Sequence, residues 1–292
     1  MTRVREKRAD SLLGRCSMGR LCSFVGISRQ AHYQWQHREI AESLHAVLIL
    51  EVVRIIRGRQ ACIGGRKLYR MLLANHCHLM HGVGRDAFFS ILGAAGMLVR
   101  RNRRSVRTTY SQRWRRLYHN EIRDIVAAYP GHILVADITY LRLSKGFAYL
   151  ALVTDLYSRK IVGYDVSLSL SLDGALRALR MALAACPPGR LLIHHSDHGL
   201  QYYSGEYCKE VEKVRGGIMS MTEDGNVYEN AVAERVNGIL KAEFALDQQF
   251  RSCKQAKAAV REAIEIYNNE RPHMSLSMRT PSSVFANYRQ VA

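Results

Sequence analysis

Three acidic residues stand in places where a folded chain seldom keeps a carboxylate without a use for it. Asp137 lies inside an apolar, strand-like run, Asp197 follows the short strand-like run Leu191–His195 after Ser196, and Glu234 lies in a helix-like segment. A carboxylate in a central strand is costly unless it is paired or bound to metal, and ligand sites gather at the carboxyl ends of strands. Alone, Asp197 could cap a helix and Glu234 could lie on the surface. Together the three acids predict a metal-binding carboxylate cluster.

Such a cluster suits the cleavage of phosphodiester bonds. Two Mg²⁺ ions, about 3.5–4 Å apart, can activate the attacking oxygen and stabilise the leaving one. Mg²⁺ prefers carboxylate oxygens to histidine or cysteine ligands. Without metal the three carboxylates would repel one another, so the metal-free site should be partly protonated. A zinc site near His76 and Cys77 is the competing idea, but no second ligand pair follows at zinc-finger spacing.

The elements that would position these acids begin near residue 121. We predict a helix over 121–129, then three strands that form an antiparallel meander, and then alternating helices and strands. The predicted strands cover 132–143, 146–154, 160–167, 190–195 and 218–221, and the later helices cover 172–185, 204–213, 229–246 and 252–269. This order predicts an α/β fold with a mixed five-stranded sheet flanked by helices.

The helix that carries Glu234 has a polar face beside an apolar one. Asn230, Asn237 and Lys241 lie four residues before, three after and seven after Glu234. On a helix of 3.6 residues per turn these offsets place all three within about 60° of Glu234. We expect this face to position a nucleic-acid strand beside the metal site. The alternative is that the asparagines bridge neighbouring loops and that Lys241 is a solvated surface lysine.

The positive charge is concentrated in the first part of the chain. The formal net charge is +18; residues 1–120 hold 23 Lys and Arg against 6 Asp and Glu, whereas residues 121–292 hold 20 against 19. An imbalance of this kind calls for an acidic partner, and DNA is the commonest one. A solvated basic surface or an RNA-binding protein is the alternative.

Residues 18–35 have the pattern of a helix-turn-helix. Gly26 should end the first helix and Ser28 should cap the second. Arg29 and Gln30 at the start of the second helix would then face a major groove. An ordinary helical hairpin is the alternative.

A second helical region follows an amphipathic helix over 44–57. Helices are predicted at 65–74 and 84–95, and an arginine-rich linker comes after them. An arginine-rich segment without apolar periodicity is typical of a linker that lies along a phosphate backbone. The candidate DNA contacts of this region are Arg66, Lys67, Arg100, Arg101, Arg103 and Arg104.

Four long motifs, in this order, resemble the integrase-type transposases of the IS3 (insertion sequence three) family, specifically their downstream OrfB protein. They are Ala136-Asp137-Ile-Thr-Tyr-Leu, His195-Ser196-Asp197-His-Gly199-Leu-Gln201-Tyr202, Tyr228-Glu-Asn230-Ala-Val-Ala-Glu234 and Tyr267-Asn-Asn-Glu-Arg271-Pro-His-Met-Ser275-Leu. The segments Gly64–Leu68 and Gly84–Asp86 resemble the helical region that precedes the family's catalytic core. The resemblance covers nearly the whole chain from about residue 18.

The resemblance implies a ribonuclease-H-like, retroviral-integrase-type core with an Asp-Asp-Glu triad at Asp137, Asp197 and Glu234. It implies dependence on Mg²⁺ (or Mn²⁺), with two ions per site, and recognition of terminal inverted repeats. A freed 3′-hydroxyl would attack another phosphodiester directly, with no covalent protein intermediate. The expected partners are double-stranded DNA (transposon ends and target), further copies of the chain on DNA, and an upstream OrfA-type protein.

Three regions follow from these patterns. Residues 1–60 would form a basic segment with the helix-turn-helix, 61–120 a second helical DNA-binding region with the linker, and 121–292 the catalytic core with its C-terminal helices. A nuclease of the same fold and a DNA-binding regulator without activity remain alternatives. A recombinase with a Ser or Tyr nucleophile would not need three acids, and the chain has no phosphate-binding loop typical of ATP use.

The remaining composition points to a cytoplasmic protein, and the resemblance implies that it is associated with a bacterial nucleoid. No apolar run reaches the roughly 18–20 residues of a membrane span, and the basic N-terminus has no apolar signal segment. Seven scattered cysteines, without a Cys-x-x-Cys pair, favour free thiols over a disulfide framework.

Overall fold

The computed structural model describes residues 17–99, 118–214, 216–223 and 230–287. These residues divide into two compact units. The first unit holds the described residues up to Ile55 together with His76–Met97, and the second holds Ile56–Asn75 together with the described residues from Leu98 onward. The segment 56–75 therefore belongs with the sheet-containing unit, whereas the sequence pattern had placed residues 61–75 in the helical region 61–120.

Among the described residues, four α-helices precede the sheet. They are α1 (Met18–Val25), α2 (Arg29–Arg59), α3 (Gly65–Asn75) and α4 (Arg85–Ala94). Gly26 ends α1 with a left-handed φ of 73°, and Ser28 Oγ accepts the backbone N–H of Ala31 at 3.0 Å. The predicted break and cap are thus confirmed. The segment 44–57 is not a separate helix but part of the 31-residue α2, because no Gly or Pro interrupts residues 29–57.

A mixed sheet forms the centre of the second unit. Its strands are β1 (Ile133–Leu143), β2 (Phe147–Asp155), β3 (Ile161–Ser167), β4 (Leu192–Ser196), β5 (Gly217–Met221) and the two-residue β6 (Gln249–Phe250). The order is β3-β2-β1-β4-β5, and β6 pairs with the far end of β1. β1, β2 and β3 form the predicted antiparallel meander, while β4 and β5 run parallel to β1. The five predicted strands are confirmed, and β6 was not predicted.

The helix predicted over 121–129 is wrong, since these residues form turns and extended chain. The N–H of Glu121, which would have no partner inside a helix that starts there, donates to Ser220 Oγ at 2.9 Å. His132 Nδ1 accepts from the N–H of Ala128 at 3.2 Å, a donor that the helix would need. Side-chain acceptors of this kind compete with helical hydrogen bonds.

Helices cover both faces of the sheet. α5 (Leu172–Ala185) and α6 (Gly205–Glu212) pack on one face, and α7 (Ala231–Glu243) and α8 (Cys253–Asn269) pack on the other, followed by α9 (Pro281–Asn287). α5 lies directly on the backbone of β3, because a Cβ at Gly163 would meet Ala178 O at 2.0 Å. Within the described residues no helix is long and apolar enough to cross a membrane.

Candidate active site

Two of the three predicted acids lie side by side at the middle of the sheet. β1 and β4 are parallel neighbours, and their register pairs Ala136 with Ser196. The next residues along the two strands are Asp137 and Asp197, and both are half-buried. Parallel pairing is what brings them together, because it aligns the end of β4 with the middle of β1. The structure thereby joins two residues that are 60 positions apart in the sequence.

The surroundings of Asp137 disfavour its charged form. Burial, followed by the charge of Asp197, raises the pKa of Asp137 to about 7, and the charge of Glu234 acts in the same direction. Asn237 Nδ2 opposes this effect by donating to Asp137 Oδ2 at 2.6 Å. The carboxyl group of Asp137 therefore lies near other negative charges, which is typical of a cation-binding site.

Asp197 is held by the loop that follows it. Its pKa is raised by burial, and the raise is limited by the backbone N–H of Gly199, which donates to Asp197 Oδ1 at 3.1 Å, and by His198. A Cβ at Gly199 would lie 3.2 Å from Asp197 Oδ1 and 3.2 Å from the Tyr202 ring. Glycine therefore lets the loop close tightly enough to fix the carboxylate.

Two asparagines attach α7 to β1. Asn230 Nδ2 donates to the carbonyl oxygen of Ala136 at 3.1 Å, and Asn237 bonds Asp137 as described. Both asparagines are 6% exposed. They lie seven residues apart, two helical turns, so that the same side of α7 meets the strand at both points. The predicted DNA contacts at Asn230 and Asn237 are not supported, because both amides are buried against β1.

Glu234 lies between these two asparagines on α7, and it is exposed. Its charge reaches Asp137, as the raised pKa of that residue shows. Within the described part of the chain, however, no three His, Cys, Asp or Glu side chains are grouped closely enough to hold one metal ion. The structure thus brings Asp137 and Asp197 together and places Glu234 at the rim.

The donor set suits a divalent cation. Asp137 and Asp197 offer hard carboxylate oxygens in a half-buried site that disfavours their charged forms, an effect that Mg²⁺ or Mn²⁺ would relieve. The His76–Cys77 loop of the first unit forms no comparable group among the described residues.

Lys241 lies on the Asp137 side of α7. Its Nζ is 4.6 Å from the centre of the Tyr140 ring, and the charge of Asp137 acts on it. Burial lowers the pKa of Lys241, and the Asp137 charge raises it in part. A half-buried cation beside the carboxylate pair fits the predicted role at a phosphate.

The other predicted DNA contacts have different positions. Arg29, Gln30 and Arg66 are exposed. Lys67 is 9% exposed and its Nζ lies 2.6 Å from Glu243 Oε1, so a DNA contact by this ammonium is not supported. The linker residues Arg100, Arg101, Arg103 and Arg104 lie outside the described residues.

An ion cluster that the sequence analysis did not assign holds the end of α7. Arg271, 2% exposed, donates through Nε to Glu243 Oε2 at 2.7 Å and through Nη2 to Glu243 Oε1 at 2.9 Å, and Lys67 is the second cation. Asn268 bonds both the N–H and the carbonyl of Ile161, at 3.0 and 2.9 Å. The Tyr267–Ser275 motif could be recognised in the sequence. Nothing in the sequence around Glu243 indicates that this residue is the partner of Arg271.

Comparison with known proteins agrees with this architecture. Two models described as "Integrase core domain" match residues 127–215 and 216–281. The insertion element IS600 uncharacterized 31 kDa protein of Shigella sonnei is 32% identical over 93% of this chain and 100% of the relative. The transposase of IS629 from the same organism is 32% identical over 90% of this chain and 89% of its own length. InsF, the transposase of IS3A in Escherichia coli K12, is 37% identical over 51% of this chain and 52% of its own.

Solved structures give weaker likenesses. The magnesium complex of the HTLV-2 integrase catalytic core is 19% identical with a TM-score of 0.44, over 55% of this chain and 99% of that one. The simian T-cell lymphotropic virus intasome complex is 18% identical with a TM-score of 0.47, over 74% and 73%. With near full-length relatives and a matching integrase core, the chain belongs to the IS3 family of insertion-sequence transposases, enzymes that transfer DNA strands.

Proposed function

We propose that this chain binds the terminal inverted repeats of an insertion sequence, cuts the DNA at its ends and joins the freed 3′-hydroxyl groups to target DNA. Asp137, Asp197 and Glu234 are the proposed catalytic triad. The observation that carries the proposal is the Asp137–Asp197 pair, in which burial and the neighbouring charge raise the pKa of Asp137 to about 7.

The three carboxylates would hold two divalent ions when DNA is present. These ions would supply charge stabilisation at the attacking and leaving oxygens of an in-line displacement. Asp137 and Asp197 are rigid ligands, because β1, β4 and the Gly199 loop fix them. Glu234 would join from the rim of the site, which makes it the ligand whose position depends most on the docking of α7 onto β1.

The remaining residues would orient DNA. Lys241, stacked on the Tyr140 ring, can hold the phosphate next to the scissile one. Arg29 and Gln30 would read bases, while Arg66 and the linker arginines Arg100, Arg101, Arg103 and Arg104 would contact phosphates. In strand transfer the 3′-hydroxyl oxygen bonds to the target phosphorus, and the target strand leaves with its own 3′-hydroxyl. An upstream OrfA-type protein and further copies of the chain are the proposed protein partners.

The proposal is tested by three isosteric variants. Asp137→Asn, Asp197→Asn and Glu234→Gln should each abolish cleavage and joining in Mg²⁺ while DNA binding stays near normal, because each removes one ligand charge without changing volume. A double variant should be no worse than a single one, since the three act as a unit. Asp173→Asn, an exposed carboxylate on α5, is the control and should keep activity.

Cleaved and joined products are resolved separately on labelled inverted-repeat ends. Near-normal cleavage by any of the three variants would remove that residue from the triad. Cleavage without joined product in the unaltered protein would instead favour the nuclease alternative.

A further inference from the structure

The long helix α2 is apolar on two opposite faces. Ile49 and Val53 are fully buried on one face. On the other face Ile40, Leu44 and Ile55 are 52%, 63% and 71% exposed. A surface helix normally carries one apolar face, and a helix that is apolar all round is usually covered all round. The exposed face of α2 therefore has the character of an interface.

The exposed positions are arranged symmetrically about Leu44. Counting outward from Leu44 by 4, 7 and 11 residues reaches positions that all lie within about 40° of it on an α-helix. These seven exposed positions, here called the α2 seam, are Tyr33, His37, Ile40, Leu44, Leu48, Glu51 and Ile55. All of them belong to the first unit. The equidistant residues also match in character: Ile40 with Leu48 and Tyr33 with Ile55 are apolar or aromatic pairs, and His37 corresponds to the acidic Glu51.

We propose that the α2 seam pairs with the α2 seam of a second copy of this chain, antiparallel, with Leu44 on the twofold axis. Each residue then faces the one at the same distance on the other side of Leu44. Ile40 would face the partner's Leu48, Tyr33 the partner's Ile55, and Leu44 its own copy. A twofold contact uses the same patch on both chains, and a stripe whose two halves match in residue character meets that condition.

Charge selects the antiparallel arrangement. His37 and Glu51 are equidistant from Leu44, so antiparallel pairing sets each histidine beside the partner's Glu51. Parallel pairing in register would set Glu51 against the partner's Glu51, and like charges across a helix interface are unfavourable. Glu51 now pairs with Arg54 in the same helix, and both side chains are 55% exposed. Exposed pairs of this kind contribute little, so Glu51 can turn to the partner.

The contact deepens the expectation that the transposase acts as a homo-oligomer. It is measured without DNA or metal, so its failure leaves the proposed strand-transfer chemistry untouched. Transposition handles two DNA ends, and a twofold pair presents two copies of the α1–α2 segment.

Sedimentation velocity of the full chain, over a range of concentrations, tests the proposal. The unaltered protein should dimerise, and Leu44→Glu and Leu44→Lys should each weaken the dimer at least tenfold. An equimolar mixture of the two variants should regain dimer, because the new charges are opposite and face each other. Leu168→Glu, at a residue 66% exposed in the second unit, should leave dimerisation unchanged. Circular dichroism confirms that the variants are folded.

A charge exchange keeps the test decisive if the Leu44 variants do not fold. His37→Glu should weaken the dimer, and adding Glu51→Lys to it should restore the dimer by reversing the pair. A monomeric unaltered protein, or variants that dimerise as well as it does, would overturn the proposal. Single variants that are monomeric but do not recover in the mixture or the exchange would also overturn it, in favour of a different chain on this face.

Discussion

At the scale of single residues, Asp137 is the most sensitive group of the site. Burial and the charge of Asp197 raise its pKa from 3.8 to about 7, and one hydrogen bond from Asn237 limits the rise. An acid whose pKa is higher in the folded than in the unfolded chain takes up a proton on folding. Protonation of Asp137 therefore stabilises the folded state of the metal-free protein.

The pH dependence of stability follows with a definite sign. Below about pH 4 Asp137 is protonated in both states and has no effect, and between pH 4 and 7 its ionisation increasingly destabilises the folded state. Asp137→Asn should therefore raise the melting temperature of the metal-free protein at pH 8 and leave it nearly unchanged at pH 4. Mg²⁺ should bind the unaltered protein more tightly at pH 8 than at pH 6, because protons compete for Asp137. Scanning fluorimetry and calorimetric titration measure both effects, and an equal effect of the substitution at both pH values would contradict this account.

Lys241 gives a second prediction at this scale. Lys241→Ala removes a cation that lies 4.6 Å from the Tyr140 ring centre and is within reach of the Asp137 charge. Strand transfer should fall about tenfold or more, while the free energy of unfolding should change by under about 1 kcal/mol. Lys209→Ala on α6 is the control at an exposed lysine. A large loss of stability with unimpaired joining would return Lys241 to a purely structural role.

At the scale of elements, the contacts between α7 and its surroundings determine the position of Glu234. Asn230 and Asn237 attach the first two turns of α7 to β1, and Glu243, its last residue, is held by Arg271 and Lys67. The pKa of Glu243 is lowered by these two cations against the effect of burial, whereas burial and the charge of Arg271 lower the pKa of Lys67. Two cations thus share one buried carboxylate and fix the end of the helix.

Breaking this cluster should be costly. Arg271→Ala should destabilise the protein by about 3–5 kcal/mol, since it leaves a buried ion pair incomplete. The matched control is Arg59→Ala, which removes the exposed Arg59–Glu270 pair, with side chains 49% and 40% exposed. That pair should contribute under about 1 kcal/mol. Urea unfolding measures both, and equal losses would mean that the Glu243 cluster is no more important than a surface pair.

At the scale of the whole molecule, charge and chemistry occupy different parts of the chain. Of the net charge of +18, nearly all lies in residues 1–120, while the proposed triad lies beyond residue 121. DNA affinity should therefore depend mainly on the first 120 residues and should fall steeply with salt, as counterion release requires.

The full chain can test this division without truncation, which would remove Lys67 from Glu243. Replacing Arg100, Arg101, Arg103 and Arg104 with glutamine should reduce the slope of log affinity against log salt by about 3–4, at roughly 0.9 for each phosphate that the protein no longer neutralises. The matched control replaces four exposed cations near α8, Arg251, Lys254, Lys257 and Arg261, and should change the slope less. Equal changes of the salt-dependence slope in the two sets of variants would contradict the assignment of DNA affinity to residues 1–120.

The sequence alone determined the local features of this protein. Gly26 and Ser28 set the turn between α1 and α2, and the apolar runs around Asp137 and before Asp197 predicted strands, because turn, cap and strand preferences depend on near neighbours. Ordered motifs around the three acids also sufficed to indicate the family.

Only the tertiary structure decided the contacts between distant elements. Parallel pairing of β1 with β4 brought Asp137 beside Asp197. The docking of α7 placed Asn230 and Asn237, which were predicted to contact DNA, in hydrogen bonds with β1. Lys67, also predicted to contact DNA, is instead buried in an ion pair with Glu243. A side chain's partner across the fold depends on how strands and helices pack, and neither the type nor the spacing of a residue along the chain contains that information.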